Sequence, residues 1–207
     1  MFEFLDNPKP CGKRILLENN SWIEEWTLLP NEIRMEDDTF SFLWSLPKHN
    51  EAIIIMGKHV AAPRYTNNYG KDYFYSGILH KAQPIPHPYL SALLEWICSH
   101  SQQPYQQILM NRYEDGRHYI GWHRDDTTQL VKHSAIYSFS FGCPRQFKVR
   151  RLSDNKVIHK FTTGNNTLLI MGGAFQTYYQ HCVTKQSIKK VYEPRINITF
   201  RLFKSNS

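Results

Sequence analysis

Ile108-Leu109-Met110-Asn111-Arg112-Tyr113, running into Glu114-Asp115-Gly116, is the stretch that decides the fold class. A short β-forming segment stops at an acidic glycine turn, and the same unit then recurs down the chain. Tyr119 to His123 comes next, then Ala135 to Phe141 closed by Gly142, then Phe147 to Arg150 before the polar turn Ser153-Asp154-Asn155. Val157 to Phe161, Thr167 to Met171 and Ile196 to Phe203 complete the series. Short strands broken by frequent turns predict an antiparallel sandwich or barrel. Upstream of Pro104 the pattern is mixed. Leu90, Leu93, Leu94 and Ile97 recur at helical spacing behind Pro88, a residue suited to a first helical turn. Trp22, Trp26 and Leu29 fall on one helical face and predict a helix there, while Phe40-Ser41-Phe42-Leu43-Trp44 alternates only in part. The plan is an α+β N-terminal half feeding a β-sandwich C-terminal half.

The 207 residues are enough for one domain with its own core, and neither repeats nor a long linker divide them. With 41% hydrophobic and 21% charged residues the chain is neither disordered nor membrane-embedded in composition. The longest apolar run, Ala52 to Met56, is far too short to span a bilayer. Met1-Phe2-Glu3-Phe4-Leu5-Asp6 has no signal-peptide character. The four cysteines form no Cys-x-x-Cys pair, so free thiols in an intracellular compartment, nucleus or cytoplasm, are expected. A net charge of +7 with 14% aromatics suits a nucleic-acid partner; a basic enzyme with an aromatic core fits the same arithmetic.

Gly121-Trp122-His123-Arg124-Asp125-Asp126 carries the chemistry. Residues two apart on a strand share a face, so His123 and Asp125 can offer an imidazole and a carboxylate to one metal. His181, isolated in Tyr179-Gln180-His181-Cys182-Val183, can supply the third donor. Two histidines and one carboxylate make the facial triad of non-haem Fe(II) sites that use oxygen. The other histidines read as exposed or ordinarily hydrogen-bonded side chains. In Pro194-Arg195-Ile196-Asn197-Ile198-Thr199-Phe200-Arg201 the apolar residues share one face, and Arg195, Asn197, Thr199 and Arg201 share the other. That polar face is either solvated or built around an acidic ligand.

Asn111-Arg112-Tyr113-Glu114-Asp115-Gly116, Ile120 to Asp126, Ser138-Phe139-Ser140-Phe141-Gly142, His181 and Pro194 to Arg201, in that order, resemble the AlkB family of Fe(II)/2-oxoglutarate dioxygenases. The likeness is greatest to its branch that repairs alkylated bases in duplex DNA, and it extends over about Ile53 to Phe203. It implies a mostly β fold with flanking helices: a double-stranded β-helix (jelly roll) at 105–207, behind an N-terminal extension and nucleotide-recognition lid at 1–104. It also implies Fe(II) held by His123, Asp125 and His181, with 2-oxoglutarate and O2 as co-substrates. Arg195 is then the partner of the distal 2-oxoglutarate carboxylate, helped by the Tyr113 hydroxyl. Asn111, Asn197, Thr199 and Arg201 are further co-substrate contacts, with Arg201 nearer the metal. The implied reaction is oxidative demethylation of bases such as 1-methyladenine and 3-methylcytosine, in single- or double-stranded DNA or in RNA, by a monomer without membrane attachment. The rival readings are a dioxygenase of the same fold acting on protein or lipid, and a catalytically silent nucleic-acid-binding module.

For a base to reach the iron it must leave the stack. By resemblance, Met56, followed by Gly57 and Lys58, stands where the branch has an aromatic wedge. Arg64 resembles a nucleic-acid contact. Tyr73 and Tyr75, in Tyr73-Phe74-Tyr75-Ser76-Gly77, line the base pocket, after a loop from Tyr65 to Asp72. Asp126 matches a substrate-side acid, whereas Thr127 replaces a second acidic residue of the branch. Two basic groups, Arg145, Lys148, Arg150 and Arg151, then Lys185, Lys189 and Lys190, either follow a phosphate backbone or are simply solvated.

Overall fold

The computed structural model describes residues 12–49, 52–55, 58–75 and 78–205; of residues 52–55, 58, 59, 74, 75 and 78 it describes only the backbone. Two antiparallel sheets form the frame. The larger runs edge to edge as β1 (Lys13–Leu17), β2 (Ser21–Trp26), β13 (Thr167–Gly173), β10 (Ile136–Gly142), β15 (Arg195–Arg201), β8 (Gln107–Tyr113) and β5 (Tyr65–Tyr69). The smaller runs β12 (Val157–Thr163), β11 (Arg145–Arg151), β14 (Tyr179–Val183) and β9 (Ile120–His123). Two short pairs lie between β2 and β8 in the chain, on either side of β5: β3 (Ala52–Ile55) with β4 (Lys58–Ala61), and β6 (Tyr73–Tyr75) with β7 (Ile78–His80). The turn-punctuated strands do form an antiparallel sandwich, and its arrangement is the jelly roll that the resemblance implies. No helix among the described residues is long and apolar enough to cross a membrane.

The core lies in two layers because β15, β8 and β10 are buried on both faces. On the outer face Ile196, Ile198 and Phe200 of β15 pack with Ile108 and Met110 of β8. Helix α2 (Pro88–Ser101) closes this layer with Leu90, Leu93 and Ile97, all fully buried. Each such side chain contributes about 1.5–3 kcal/mol on leaving water. The His87 imidazole accepts the Tyr89 N–H at the start of α2, and Gln102 ends it in the left-handed region. Between the sheets, Phe147, Val149 and Val183 of the small sheet meet Ile136, Leu169 and Met171 of the large one.

Three local expectations are corrected. Trp22 to Trp26 is strand β2, not helix, because a spacing of four satisfies a two-residue period as well as a helical one. Trp22 and Trp26 share one face of the strand, with Ile23 on the other. Glu24, on the tryptophan face, is kept there by Trp26 Nε1 at 2.8 Å and Arg14 Nε at 2.9 Å. Phe40 to Trp44 lies inside helix α1 (Asp37–Ser45), whose first turn carries Asp37 and Asp38, the charge favoured at that end. The expected loop from Tyr65 to Asp72 begins as strand β5, paired along β8 from Tyr65↔Arg112 to Tyr69↔Ile108. Its buried Thr66, Asn67 and Asn68 give it no apolar pattern. It turns at Gly70, whose φ of 82° and closeness to the Gln106 carbonyl leave no room for a Cβ.

Arg112, on the outer face of β8, is fully buried. Its guanidinium donates to the carbonyls of Leu43, Trp44, Leu46 and Pro47 at 2.6–3.2 Å, and to Asn67 Oδ1 at 2.8 Å. It thereby satisfies the orphan carbonyls at the C-terminal end of α1 and fastens that helix to the strand carrying Asn111 and Tyr113.

Candidate metal centre and co-substrate pocket

Strands β9 and β14 are neighbours in the small sheet, and their register sets His123 directly opposite His181. The ring centroids are 4.2 Å apart. Asp125 lies just past the end of β9, and its backbone N–H donates to Gln176 Oε1 at 2.9 Å. This brings one donor atom from each of His123, Asp125 and His181 within 4.8 Å of one another. His123 Nδ1 faces the Gly121 carbonyl at 2.9 Å. A carbonyl only accepts, so Nδ1 carries the proton and Nε2 keeps its lone pair for a ligand. His181, stacked on Phe147 at 5.3 Å, is buried, and its Nδ1 has no hydrogen-bond partner.

The charges fit a cation. Burial and the neighbouring His123 pull the His181 pKa down to about 3, and burial also lowers His123. Burial pushes the Asp125 carboxyl up, but Arg201 and the two histidines outweigh it and hold the group at about 2. Two neutral imidazoles beside an ionised carboxylate are the state a divalent metal requires, with no proton to displace at neutral pH. Asp125 Oδ1 accepts from Arg201 Nη2 at 2.7 Å, and both side chains are only 4% exposed.

The same three residues line one end of a cavity that opens to solvent. Arg195 lines it too, from β15, paired across to Tyr113 on β8 and Gly142 on β10. One of its nitrogens, Nη2, donates to Ser140 Oγ at 2.8 Å and Thr163 Oγ1 at 3.4 Å. The other two, Nε and Nη1, are buried without a hydrogen-bond partner. Its carbon Cζ stands 4.9 Å from the Tyr113 ring centroid. Burial lowers the Arg195 pKa to about 10, so the group is cationic at neutral pH. A buried cation that lines a cavity and has two nitrogens without a hydrogen-bond partner is chemically complementary to a carboxylate. Asn197 donates to Ser138 Oγ and the Phe139 carbonyl, and Thr199 Oγ1 donates to Asn197 Oδ1 at 3.3 Å. Asn111 Oδ1 accepts from Arg64 Nε at 2.9 Å and Thr66 Oγ1 at 3.4 Å. The expected metal and co-substrate residues therefore gather around one cavity.

The expected substrate contacts are placed unevenly. Tyr73 lines the cavity, its ring 4.8 Å from the Arg201 guanidinium. Arg64 lines it as well, buried, with Nε donating to Asn111 Oδ1 at 2.9 Å. Asp126 Oδ1 accepts from the Thr128 N–H at 2.9 Å and hydroxyl at 2.7 Å, a local turn beside the metal residues. Thr127 is exposed and faces a separate depression with Lys132 and Lys204. Met56, Gly57 and Ser76 lie outside the described residues, as do the side chains of Lys58 and Tyr75. Arg145 is not a phosphate contact: it is 1% exposed and donates to the carbonyls of Asp115, His118 and Thr184. Lys185, Lys189 and Lys190 are exposed. Sequence reasoning missed Gln176 and Gln107 at the metal end, since a neutral amide belongs to no ligand motif.

Residues 40–201 match the model of the 2OG-Fe(II) oxygenase superfamily. The chain is 36% identical over 148 residues to the alpha-ketoglutarate-dependent dioxygenase alkB homolog 3 of Bos taurus, covering 67% of this chain and 51% of that protein. It is 30% identical over 178 residues to the DNA oxidative demethylase ALKBH2 of Mus musculus, covering 81% and 71% respectively. The chain thus spans about half the length of the alkB homolog 3 proteins it matches. Among solved structures it superposes on OsALKBH1 with a TM-score of 0.59 at 14% identity, over 92% of this chain and 100% of that one, a likeness of fold. With the triad, the buried arginine and these relatives together, the chain belongs to the AlkB family of the 2OG-Fe(II) oxygenase superfamily.

Proposed function

We propose that residues 1–207 act as an Fe(II)/2-oxoglutarate-dependent dealkylase of N-methylated bases, such as 1-methyladenine and 3-methylcytosine, in DNA or RNA. The observation that carries this is the shared cavity: a His-Asp-His donor set at one end and Arg195, with two unmet donors, on its wall. The nucleic-acid part is supported by the similarity to the DNA oxidative demethylase ALKBH2 and by the +7 charge.

His123, Asp125 and His181 would hold the iron, and Arg195, with Tyr113 beside it, would hold the distal carboxylate of 2-oxoglutarate. Bound iron supplies O2 activation, coupling oxidation of 2-oxoglutarate to succinate and CO2 with hydroxylation of the N-methyl group, which then leaves as formaldehyde. Arg201 keeps Asp125 ionised and oriented. Gln176 fixes the backbone that presents Asp125. Tyr73 forms part of the wall on which a flipped base would rest, and Met56, Gly57, Lys58, Tyr75 and Ser76 belong to the lid of this reading.

The test is incubation with Fe(II), 2-oxoglutarate, ascorbate and oligonucleotides carrying one methylated base. Succinate and formaldehyde formed in step, with the base restored, support the proposal. Succinate without loss of the methyl group refutes the nucleic-acid reading and favours a protein or lipid substrate. Nucleic-acid binding without any 2-oxoglutarate turnover favours the silent binding module. Competition among single- and double-stranded DNA and RNA then ranks the substrates.

A further inference from the structure

We infer that Gln107 and Asn68 are positioning residues that tie the Asp125–Arg201 pair to the β6–β7 sheet, so that the metal end of the cavity and its tyrosine-bearing wall are set jointly. Gln107 is fully buried on β8 and Asn68 is 2% exposed on β5. A buried carboxamide is costly unless its donors and acceptor are met. Here they are met in a single line. Arg201 Nη1 donates to Gln107 Oε1 at 3.1 Å, and Gln107 Nε2 donates to Asn68 Oδ1 at 2.7 Å. Asn68 Nδ2 donates onward to the carbonyls of Lys71, at 2.9 Å, and His80, at 2.8 Å. Lys71 stands just before β6, and His80 ends β7.

The direction of this line is fixed at both ends. A guanidinium only donates and a carbonyl only accepts, so flipping either amide would set donor against donor and acceptor against acceptor. Arg201 meanwhile grips Asp125 at 2.7 Å and packs its guanidinium against the Tyr73 ring at 4.8 Å. It is therefore joined to β6 twice, directly through Tyr73 and indirectly through two amides. A load that fixes Asp125 also fixes β6–β7, and by linkage a load on β6–β7 is felt at Asp125.

Hydrogen exchange reads this coupling without turnover. The protein is compared with and without Mn(II) and 2-oxoglutarate, Mn(II) binding being measured separately by calorimetry. Exchange in the peptide spanning residues 71–81 is expected to slow by about threefold or more on loading. Gln107→Glu keeps an acceptor for Arg201 but turns an oxygen on Asn68 Oδ1; Asn68→Asp keeps an acceptor for Gln107 but turns an oxygen on the two carbonyls. Each is expected to bind Mn(II) and yet lose the slowing, while the α2 peptide at 88–101 stays protected as in the wild type. Slowing that survives in both variants overturns the inference, as does wild-type Mn(II) binding without slowing. If both variants lose α2 protection, the amides support the whole fold and the positioning role is refuted. The inference rests on the metal reading of His123, Asp125 and His181. Absence of Mn(II) binding would sink both, whereas binding without slowing sinks only the coupling.

Discussion

Replacing Arg195 with methionine separates binding from stability. The substitution keeps an unbranched side chain of similar length and removes the cation. In the ligand-free protein Nε and Nη1 are buried without partners, so the guanidinium is held at a desolvation cost. A carboxylate meeting both nitrogens would form two charge-assisted hydrogen bonds, each worth about 1.5–3 kcal/mol. Taking the lower end for the pair, their loss is about 3–4 kcal/mol, or roughly 100- to 1000-fold weaker 2-oxoglutarate binding. Thr163 Oγ1 keeps its bond to the Arg145 carbonyl, so only the orphaned Ser140 hydroxyl partly offsets the relief of the buried charge, and the ligand-free variant is expected to be as stable as the wild type, or about 1 kcal/mol more so. Calorimetric titration of 2-oxoglutarate into the Mn(II) protein gives the first number and urea unfolding the second. Mn(II) affinity itself should hold, since Arg195 is no metal donor. A dissociation constant within tenfold of the wild type, or a clear loss of stability, would refute the assignment of Arg195 as a carboxylate receptor.

Asp125→Ala is expected to abolish Mn(II) binding and turnover while nucleic-acid binding, followed by anisotropy, stays nearly intact; retained turnover would contradict the triad. Arg112→Met should cost about 3–5 kcal/mol, read by urea unfolding, because it strands the carbonyls at the end of α1; a loss below 1 kcal/mol would show that water replaces the guanidinium. The depressed pKa of His181 makes the metal-free protein acid-sensitive. Between the unfolded value of 6.5 and the folded value of about 3 the unfolded chain binds the extra proton, so stability falls as pH falls. This one group contributes a slope of about 1.4 kcal/mol per pH unit in that window. His181→Gln should lack this component, and parallel wild-type and variant curves between pH 6 and pH 5 would contradict it.

The alternation of Arg195 to Arg201 was legible because one face had only core to meet, which left the polar face to be explained by a ligand. Seven strands after Pro104 were legible as β-rich segments between turns, whereas β14, which carries His181, was not read as a strand. β5 was hidden because Thr66, Asn67 and Asn68 are buried by hydrogen bonding and not by hydrophobicity. β2 was misread because two tryptophans four apart suit either period. The metal trio could be read from His-x-Asp and an isolated histidine, whereas Gln176 could not: its role depends on α3 (Phe175–Tyr178) reaching Asp125 from 51 residues away. Arg145 looked like a surface cation because sequence does not record which arginines are surrounded by carbonyls.

Among the described residues strand β9 is an edge, hydrogen-bonded within its sheet to β14 alone, and it ends on His123. A cation shared by His123 and His181 therefore spans the one seam that holds this strand in place. The site then behaves as a clasp as well as a reagent. Protease survival of the segment around Gly121 should track metal supply, so a cell short of iron would lose the protein itself along with its activity.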